Sequence, residues 1–469
     1  MKLLNEKSKT GSSSFNVSLL DIPTNIPDVL QRTGLNLPEL PEVEVVRHYT
    51  TLSKSNFGVD NGPYPLGSCT MKYNPKINEI AAKIPEFNIH PLSQHNKGAL
   101  EIIYQLQQYL CDITGMHAFS TQPAAGAHGE STGIMIMRAW FEKRGEKRTK
   151  VIIPDSAHGT NPASVSLSGF EPLQVKSSQS GGIDLDDLRQ KMCKDVAGIM
   201  ITNPNTLGIF DENILKITET VHNHGGLCYL DGANMNAMLG IVKPANFGID
   251  IMHLNLHKTF STPHGGGGPG SGPVGITEVL EPFLPNPRII KKKDELGFEQ
   301  SEDSIGRVHS FYGNFSILLR AYSYIRAIGS SGLRNVAENA VLNANYMKEK
   351  LKGHYHLPYD RICQHEFVID DSLMPNGITT NDIAKRLMDF GFHPPTIYFP
   401  LIVKGAMLIE PTETESKENL DAFIEAMKVI KEEAEHNPEK LTKAPLNAPI
   451  GRIDIVHAAR KPKLRWHSK

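Results

Sequence analysis

Residues 255–260 read Asn-Leu-His-Lys-Thr-Phe, and an apolar run at residues 249–256 leads into them. Lys258 therefore stands just past a predicted buried strand, and a glycine-rich turn at residues 265–268 follows it. A strand can deliver such a lysine to the floor of a pocket, where its amine is a candidate Schiff-base nucleophile. The alternative interpretation, a surface lysine before a flexible loop, is weakened by the pattern of the rest of the chain.

Short apolar runs alternate with helical stretches from about residue 115 onward. The runs lie at residues 151–153, 198–201, 227–230 and 249–254, and the candidate helices between them lie near 130–144, 185–193 and 211–224. This order predicts an α/β fold with a mainly parallel sheet covered by helices on both faces. Ligands bind such sheets at the carboxyl ends of the strands, so the polar and glycine-rich segments after each run indicate a site.

The chain divides into three predicted regions. Residues 1–75 are predicted as an irregular N-terminal arm with a helix at residues 41–49, and residues 76–330 as a large domain that begins with a helix near 98–114. Residues 331–469 are predicted as a smaller α+β domain with a basic tail. Long helices are expected at 313–329, 332–352 and 416–436.

Composition argues against several classes of protein. The chain has 469 residues and a formal net charge of -2, which supports neither nucleic-acid binding nor a polybasic membrane anchor. It has no apolar stretch long enough to span a bilayer, and its first residues do not suggest a secretory signal. The five cysteines are scattered and lack CxxC spacing, so we expect neither a disulfide framework nor a metal site, and the expected location is cytoplasmic.

Two segments near the predicted strand ends suit a phosphate-bearing cofactor. Residues 124–131 begin with the small residues Ala-Ala-Gly-Ala and open a candidate helix, whose N-terminal N–H groups and dipole favour an anion; a plain loop is the alternative. His158 follows the run at residues 151–153 and could stack on an aromatic ring or exchange protons. A turn histidine with only local hydrogen bonds is the alternative.

Two further strand ends carry an acid and an amide. Asp231 ends the run at residues 227–230, and a buried carboxylate must be paired, for example with a protonated pyridine nitrogen; a helix cap is the alternative. Asn205, after the run at residues 198–201, could place an amide beside a phenolic oxygen. Phosphate cup, stacking residue, acid and lysine thus appear in order, whereas the GxGxxG and P-loop motifs are absent, and this combination predicts pyridoxal 5'-phosphate as the cofactor.

The chain also resembles a known family. It is similar to fold type I pyridoxal-phosphate enzymes and, more narrowly, to the P-protein family of the glycine cleavage system, glycine dehydrogenase (decarboxylating), in its split bacterial form as subunit 2. The resemblance covers about residues 40–465. It is carried by residues 42–49, 65–75, 122–130, 156–164, 231–237, 255–260, 306–314 and 459–462.

The resemblance implies roles for individual residues. Lys258 would bind the cofactor covalently, Asp231 would pair with the pyridinium nitrogen and His158 would stack on the ring. The wider fold type I pattern adds further cofactor-binding candidates: Gly126, Ala127, Asn255 and His257 toward the phosphate, and Asn205 and Asn234 toward the phenolic oxygen. Ser68, Thr70 and His309 are candidates for lining the substrate pocket, with a structural role as the alternative, and Cys69 is expected to be a packed thiol.

The resemblance also implies an activity and partners. The expected activity is decarboxylation of glycine with transfer of the aminomethyl group to the lipoyl arm of the H-protein and release of carbon dioxide. The expected partner is subunit 1, with two copies of each subunit. Another fold type I amino-acid decarboxylase or aminotransferase is the alternative enzyme, and a catalytically silent scaffold is the alternative from a different class. Dependence on the lipoyl carrier distinguishes the enzymes.

Overall fold

The computed structural model describes residues 2–12, 26–31, 34, 37–87, 90–93, 96–264 and 270–465. The glycine-rich turn predicted at residues 265–268 lies outside these residues, as do parts of the predicted arm and the end of the tail. Residues 1–61 form one compact unit and residues 62–469 form another. Residues 62–75, predicted as part of the arm, therefore belong to the second unit.

The helices and strands of the described residues are numbered in chain order. Helices α1 to α13 are Leu4–Lys7, Glu42–Lys54, Lys76–Ala82, Lys97–Thr114, Gly126–Lys143, Thr160–Leu167, Leu185–Lys191, Ile214–Asn223, Phe315–Leu351, Thr380–Asp389, Lys417–His436, Pro438–Lys443 and Ile455–Arg460. Strands β1 to β12 are Ala118–Ser120, Lys150–Pro154, Glu171–Val175, Val196–Thr202, Leu227–Gly232, Ile251–Leu254, Val274–Ile276, Arg288–Lys292, Glu295–Glu299, Phe367–Asp370, Thr396–Ile397 and Ala406–Ile409. Short 3-10 helices are Asp28–Leu30, Pro85–Phe87, Pro244–Phe247 and Glu278–Phe283.

The predicted helices form with shifts at their ends. Helix α2 in the first unit begins after Pro41, has acidic residues in its first turn and continues to Lys54, beyond the predicted end at residue 49. The acidic residues in the first turn and the lysine in the last turn both suit the helix dipole. The two helices predicted around residue 330 are one element, α9, broken at Gly329, where the backbone has φ 65° and ψ -177°. Glycine adopts this positive φ without the steric cost that a Cβ would bring.

The central sheet has seven strands in the order β1-β7-β6-β5-β4-β2-β3. Strands β3, β2, β4, β5 and β6 are parallel, and β7 is antiparallel to its neighbours β1 and β6. The four predicted runs are β2, β4, β5 and β6. The others were missed because β1 and β7 have three residues each, and because most residues of the edge strand β3 are exposed and form no apolar run.

Apolar side chains from both faces of the central sheet are buried against helices. One face packs Ile152, Ile199 and Leu230 against α4, α8 and α9. The other face packs Val151 and Met200 against α5 and α6. The predicted helical cover on both faces is therefore confirmed.

A second sheet follows in the C-terminal part, with the antiparallel order β10-β12-β11. Its buried side chains pack against α10 and α11, and α11 coincides with the helix predicted at residues 416–436. The apolar core of the central sheet continues through Ala337 in α9, past the predicted boundary at residue 330. The three predicted domain limits stay predictions. Among the described residues, no helix combines the length and hydrophobicity needed to cross a membrane.

Candidate functional site

The carboxyl ends of β2, β4, β5 and β6 open onto a cavity of about 310 Å³. The start of α5 and the loop at residues 68–69 complete its wall. All nine predicted site residues line it: Gly126, Ala127, His158, Asn205, Asp231, Asn234, Asn255, His257 and Lys258. A larger cavity of about 530 Å³ lies elsewhere, but its walls are mostly apolar and hold none of these groups. The polar cavity is therefore the candidate active site, although the role of each residue stays a prediction.

Lys258 reaches the cavity from a tight turn after β6. Its backbone N–H donates to Asn255 O at 3.0 Å, and its Nζ donates to Ser68 O at 2.7 Å. Ser68 and Thr70 have the positive φ angles 66° and 51°, which are rare for residues with a side chain. The amine is thus held by a backbone carbonyl in a strained loop, a feature often found at functional sites.

Asp231 is a fully buried acid at the end of β5, with 4% of its surface exposed. Its carboxylate accepts hydrogen bonds from Asn161 Nδ2 at 2.9 Å and from Ala233 N at 3.0 Å. Burial opposes ionisation, but His253, the Asn161 amide and Lys258 together hold the pKa of Asp231 below its usual value. No helix begins at Asp231, so the alternative of a helix cap is wrong, and the acid is an ionised carboxylate suited to a cationic ring nitrogen.

His253 lies behind Asp231 and was not singled out in the sequence. Its Nε2 is 3.5 Å from Asp231 Oδ1, and its Nδ1 shares a 2.8 Å hydrogen bond with the hydroxyl of Tyr229. Both side chains are buried within adjacent strands. A polar residue inside the apolar run at residues 249–254 was the available signal, but it was read as part of the strand.

The start of α5 lies against Asn255. Ala125, the residue that precedes the helix, provides no side-chain cap for the first N–H groups of α5. A Cβ on Gly126 would lie 2.6 Å from Asn255 Oδ1, and only glycine therefore lets Asn255 lie against the helix start. Asn255 Oδ1 is buried without a hydrogen bond among the described residues. Free N–H groups at a helix start suit a phosphate group.

His257 lies beside Asn255 on the same turn. Its Nδ1 accepts a hydrogen bond from Ser271 N at 3.3 Å. Burial, aided by His264 and Lys258, lowers the pKa of His257 to about 3. The ring is therefore neutral at physiological pH and offers a hydrogen bond rather than a charge.

His158 lines the cavity and is also bonded locally. Its Nδ1 is 2.8 Å from Thr160 Oγ1, which donates its own proton to Glu130 Oε1 at 2.7 Å. The backbone N–H of Thr160 also donates to Nδ1, at 3.3 Å, so Thr160 fixes the orientation of the ring through two contacts. The ring lies edge-on to Phe399 with centroids 5.7 Å apart. The position of His158 therefore suits both a residue that covers a ring in the cavity and a turn histidine with local hydrogen bonds. Its stacking on a cofactor ring stays a prediction.

The two predicted amide ligands already have hydrogen-bond partners. Asn205 accepts from Leu207 N and Ile209 N and donates to Gly181 O at 2.7 Å. Asn234 donates to Glu410 Oε1 at 2.8 Å and accepts from the N–H of a neighbour. These amides shape the loops around the cavity, and their contact with a phenolic oxygen stays a prediction.

The candidates for the substrate pocket differ in whether they line the cavity. Ser68 and Cys69 line the cavity, whereas Thr70 and His309 do not. His309 accepts hydrogen bonds from the N–H groups of two neighbours in its own loop, which is the structural role considered for it. Burial raises the pKa of the Cys69 thiol although Lys258 acts in the opposite direction, and this agrees with a packed, unreactive cysteine.

Two further cavity residues, His365 and Glu366, come from the segment that leads into β10. They were missed because they lie far along the chain from the βα units that carried the prediction. The local sequence, a polar pair before an apolar run, is equally typical of a solvent-exposed strand start. They reach the cavity because the second sheet packs against the loop after β4, where Val368 and Leu408 share a buried apolar cluster with Ile209.

Comparisons with known proteins show the family to which the chain belongs. Residues 92–300 match the family model for the glycine cleavage system P-protein, and residues 336–448 match that for the glycine dehydrogenase C-terminal domain. A probable glycine dehydrogenase (decarboxylating) subunit 2 of Caldanaerobacter subterraneus subsp. tengcongensis is 54% identical over 99% of this chain and 98% of that protein. The protein of the same description from Listeria innocua serovar 6a is 55% identical over 100% of this chain and 99% of that protein.

A solved structure of a glycine decarboxylase (P-protein) of the glycine cleavage system, in inhibitor-bound form, superimposes with a TM-score of 0.72. It is 20% identical and covers 87% of this chain and 93% of that chain, so it bears on the fold alone. The predicted fold type I architecture is confirmed. Because the full-length relatives share more than half of its residues, the chain belongs to the family of glycine dehydrogenase (decarboxylating) subunit 2 proteins.

Proposed function

We propose that this chain is the cofactor-binding subunit of a pyridoxal-phosphate-dependent glycine decarboxylase of the glycine cleavage system. One observation carries the proposal: Lys258, the ionised Asp231 and the uncapped start of α5 face a single cavity. A silent scaffold needs neither a lysine nor a buried acid in such a cavity. The family name, glycine dehydrogenase (decarboxylating), supports the choice of glycine over other amino acids.

The residues present fit pyridoxal 5'-phosphate. The space left by Gly126 marks a cradle at the helix start, where the Gly126 and Ala127 N–H groups and the neutral His257 would hold the phosphate. Asp231 would face the ring nitrogen, and His158 would cover the ring. When bound, the cofactor supplies an electron sink for the electron pair left by the departing carboxylate.

The side chains of this chain prepare the site for that chemistry. Asp231 stays ionised because Asn161 and Ala233 donate to it, and it can therefore hold a proton on the ring nitrogen. Lys258, whose amine Ser68 O positions, would hold the cofactor covalently, and its amine must be neutral to do so. His158 is held in orientation through Thr160 and Glu130.

The transfer half-reaction requires partners. Carbon dioxide leaves, the aminomethyl group forms a bond to one sulfur of the lipoyl disulfide on the H-protein, and the other sulfur becomes a thiol. The description of the relatives as subunit 2 supports a split enzyme with a subunit 1 partner. Two copies of each subunit and a cytoplasmic location complete the proposal.

A visible absorbance titration with pyridoxal phosphate tests the cofactor and the nucleophile. The assembled subunits should show a lysine-bound pyridoxal band that Lys258→Ala lacks, while Lys404→Ala, at an exposed lysine, keeps it. Glycine with lipoylated H-protein should then release carbon dioxide only when both subunits are present. A band of equal strength in Lys258→Ala, or carbon dioxide release without the carrier, contradicts the proposal.

A further inference from the structure

A pair of buried acids, Glu366 and Glu410, adjoins the cavity and has no part in the chemistry described above. Glu366 is 3% exposed and lines the cavity, and Glu410 is 1% exposed directly behind it. One carboxylate oxygen of each lies within 4.8 Å of the other and of a ring nitrogen of His365. Two carboxylates this close in a buried site cannot both ionise without a large cost in free energy.

The hydrogen bonds decide which acid carries the negative charge. Glu410 accepts from Thr70 N at 3.0 Å, Thr70 Oγ1 at 2.6 Å, Asn234 Nδ2 at 2.8 Å and Asn236 Nδ2 at 3.3 Å. Among the described residues, Glu366 accepts from Ser68 N alone, at 2.7 Å, through Oε2. Four donors stabilise a carboxylate much better than one, so the pair holds its proton on Glu366 Oε1. Burial and the neighbouring Glu410 raise the pKa of Glu366 well above its usual value, in agreement with this assignment.

Glu366 lines the cavity, and the neighbouring His365 does not hold that proton. His365 Nε2 is 3.7 Å from Oε1, too far for a hydrogen bond, and His365 Nδ1 is buried without a partner in the described part of the chain. Burial and then Lys258 lower the pKa of His365 to about 3, and the same two causes lower that of His264 to about 4, so both rings are neutral. The Cys69 thiol is also neutral at pH 7, since burial raises its pKa.

The cavity must still recognise a carboxylate. Among the described residues that line it, Lys258 is the sole lysine or arginine, and the proposed function commits that amine to the cofactor. A free amino acid bound there would therefore meet neutral donors on this chain. A neutral donor orients a carboxylate without the full attraction of an ion pair, so it opposes the loss of carbon dioxide less.

We propose that Glu366 is a neutral carboxylic acid that donates a hydrogen bond to the carboxylate of the bound glycine. The inference rests on the proposed function, since it names how that site recognises its substrate. Ser68 joins the two parts of the site: its N–H holds Glu366 while its carbonyl holds Lys258. Glu366 thus contacts the same residue, Ser68, that positions the reactive amine.

Ligand binding by variants of the assembled holoenzyme tests the inference. Glycine and glycinamide, which lacks the carboxylate, are titrated into wild type, Glu366→Gln, Glu366→Ala and the control Glu219→Gln, at an exposed glutamate of α8. Glu366→Ala should weaken glycine by about ten-fold, the effect of losing one hydrogen bond to a charged group, with little effect on glycinamide. Glu366→Gln retains a neutral donor and should bind glycine within a few-fold of wild type. Equal glycine affinity in Glu366→Ala and wild type overturns the inference.

Infrared spectroscopy of the wild-type protein gives a readout that does not depend on a variant's activity. The carbonyl stretch of a protonated carboxylic acid should be present at neutral pH, absent from Glu366→Gln and shifted by glycine but not by glycinamide. Absence of the band from the wild type overturns the inference directly. If the band is present but wild type fails to bind glycine, the proposed function fails while the protonation of Glu366 stands, so the two failures are distinguishable.

Discussion

Gly126→Ala tests the phosphate cradle at the start of α5. The added Cβ would lie 2.6 Å from Asn255 Oδ1 and 2.7 Å from Asn255 Nδ2, whereas ordinary contact begins near 3.4 Å. The amide must therefore move by about 0.8 Å or turn away from the cavity. Alanine favours the helix by about 0.5–1 kcal/mol over glycine, whereas overpacking costs about 1–3 kcal/mol. The two effects leave the cofactor-free protein destabilised by roughly 1 kcal/mol.

Binding of pyridoxal phosphate should suffer more than the fold. Displacement of Asn255 removes its contact at the helix start, and the methyl group crowds the N–H groups that would hold the phosphate. We expect the dissociation constant to rise by about ten-fold or more, equivalent to about 1.4 kcal/mol. Fluorescence titration measures the affinity, and calorimetry of the cofactor-free protein measures the stability. Gly297→Ala is the control, because its Cβ would meet nothing within 4 Å. Wild-type affinity in Gly126→Ala would refute the cradle.

The remaining predictions concern buried polar groups. Tyr229→Phe removes the hydroxyl at 2.8 Å from His253 Nδ1 and should destabilise the protein by about 1–3 kcal/mol in urea unfolding; an unchanged midpoint contradicts this. Lys72→Met removes the ion-pair partner of Glu413, at 2.6 Å, and should lower the free energy of unfolding by about 3–5 kcal/mol. The double variant with Glu413→Gln should recover part of that stability. The pKa of Asp231 is lower in the folded protein than its usual value of 3.8, so its contribution to stability is present above that pH and is lost as the pH falls through the folded pKa. Acid unfolding should therefore be less steep in Asp231→Asn, and identical profiles would contradict the assignment.

Local patterns in the chain predicted most of the central sheet. Strands β2, β4, β5 and β6 are buried on both faces, so each appears as a continuous apolar run. The short β1 and β7 and the exposed β3 lack that signal and were missed. The predicted site residues line one cavity because parallel strands bring their carboxyl ends to the same edge of the sheet.

The sequence by itself determined the positions of Lys258, Asp231 and the glycine at the start of α5, since each follows or precedes an element with a clear local pattern. Tertiary structure decided the part of the cavity wall that comes from the segment before β10. Glu366 contacts Ser68 across 298 residues of chain, and Glu410 contacts Thr70 across 340. These pairs form because the second sheet packs against the loop after β4, and the local sequence at either residue does not indicate that packing. Burial, together with Glu410 from a distant part of the chain, is also what raises the pKa of Glu366.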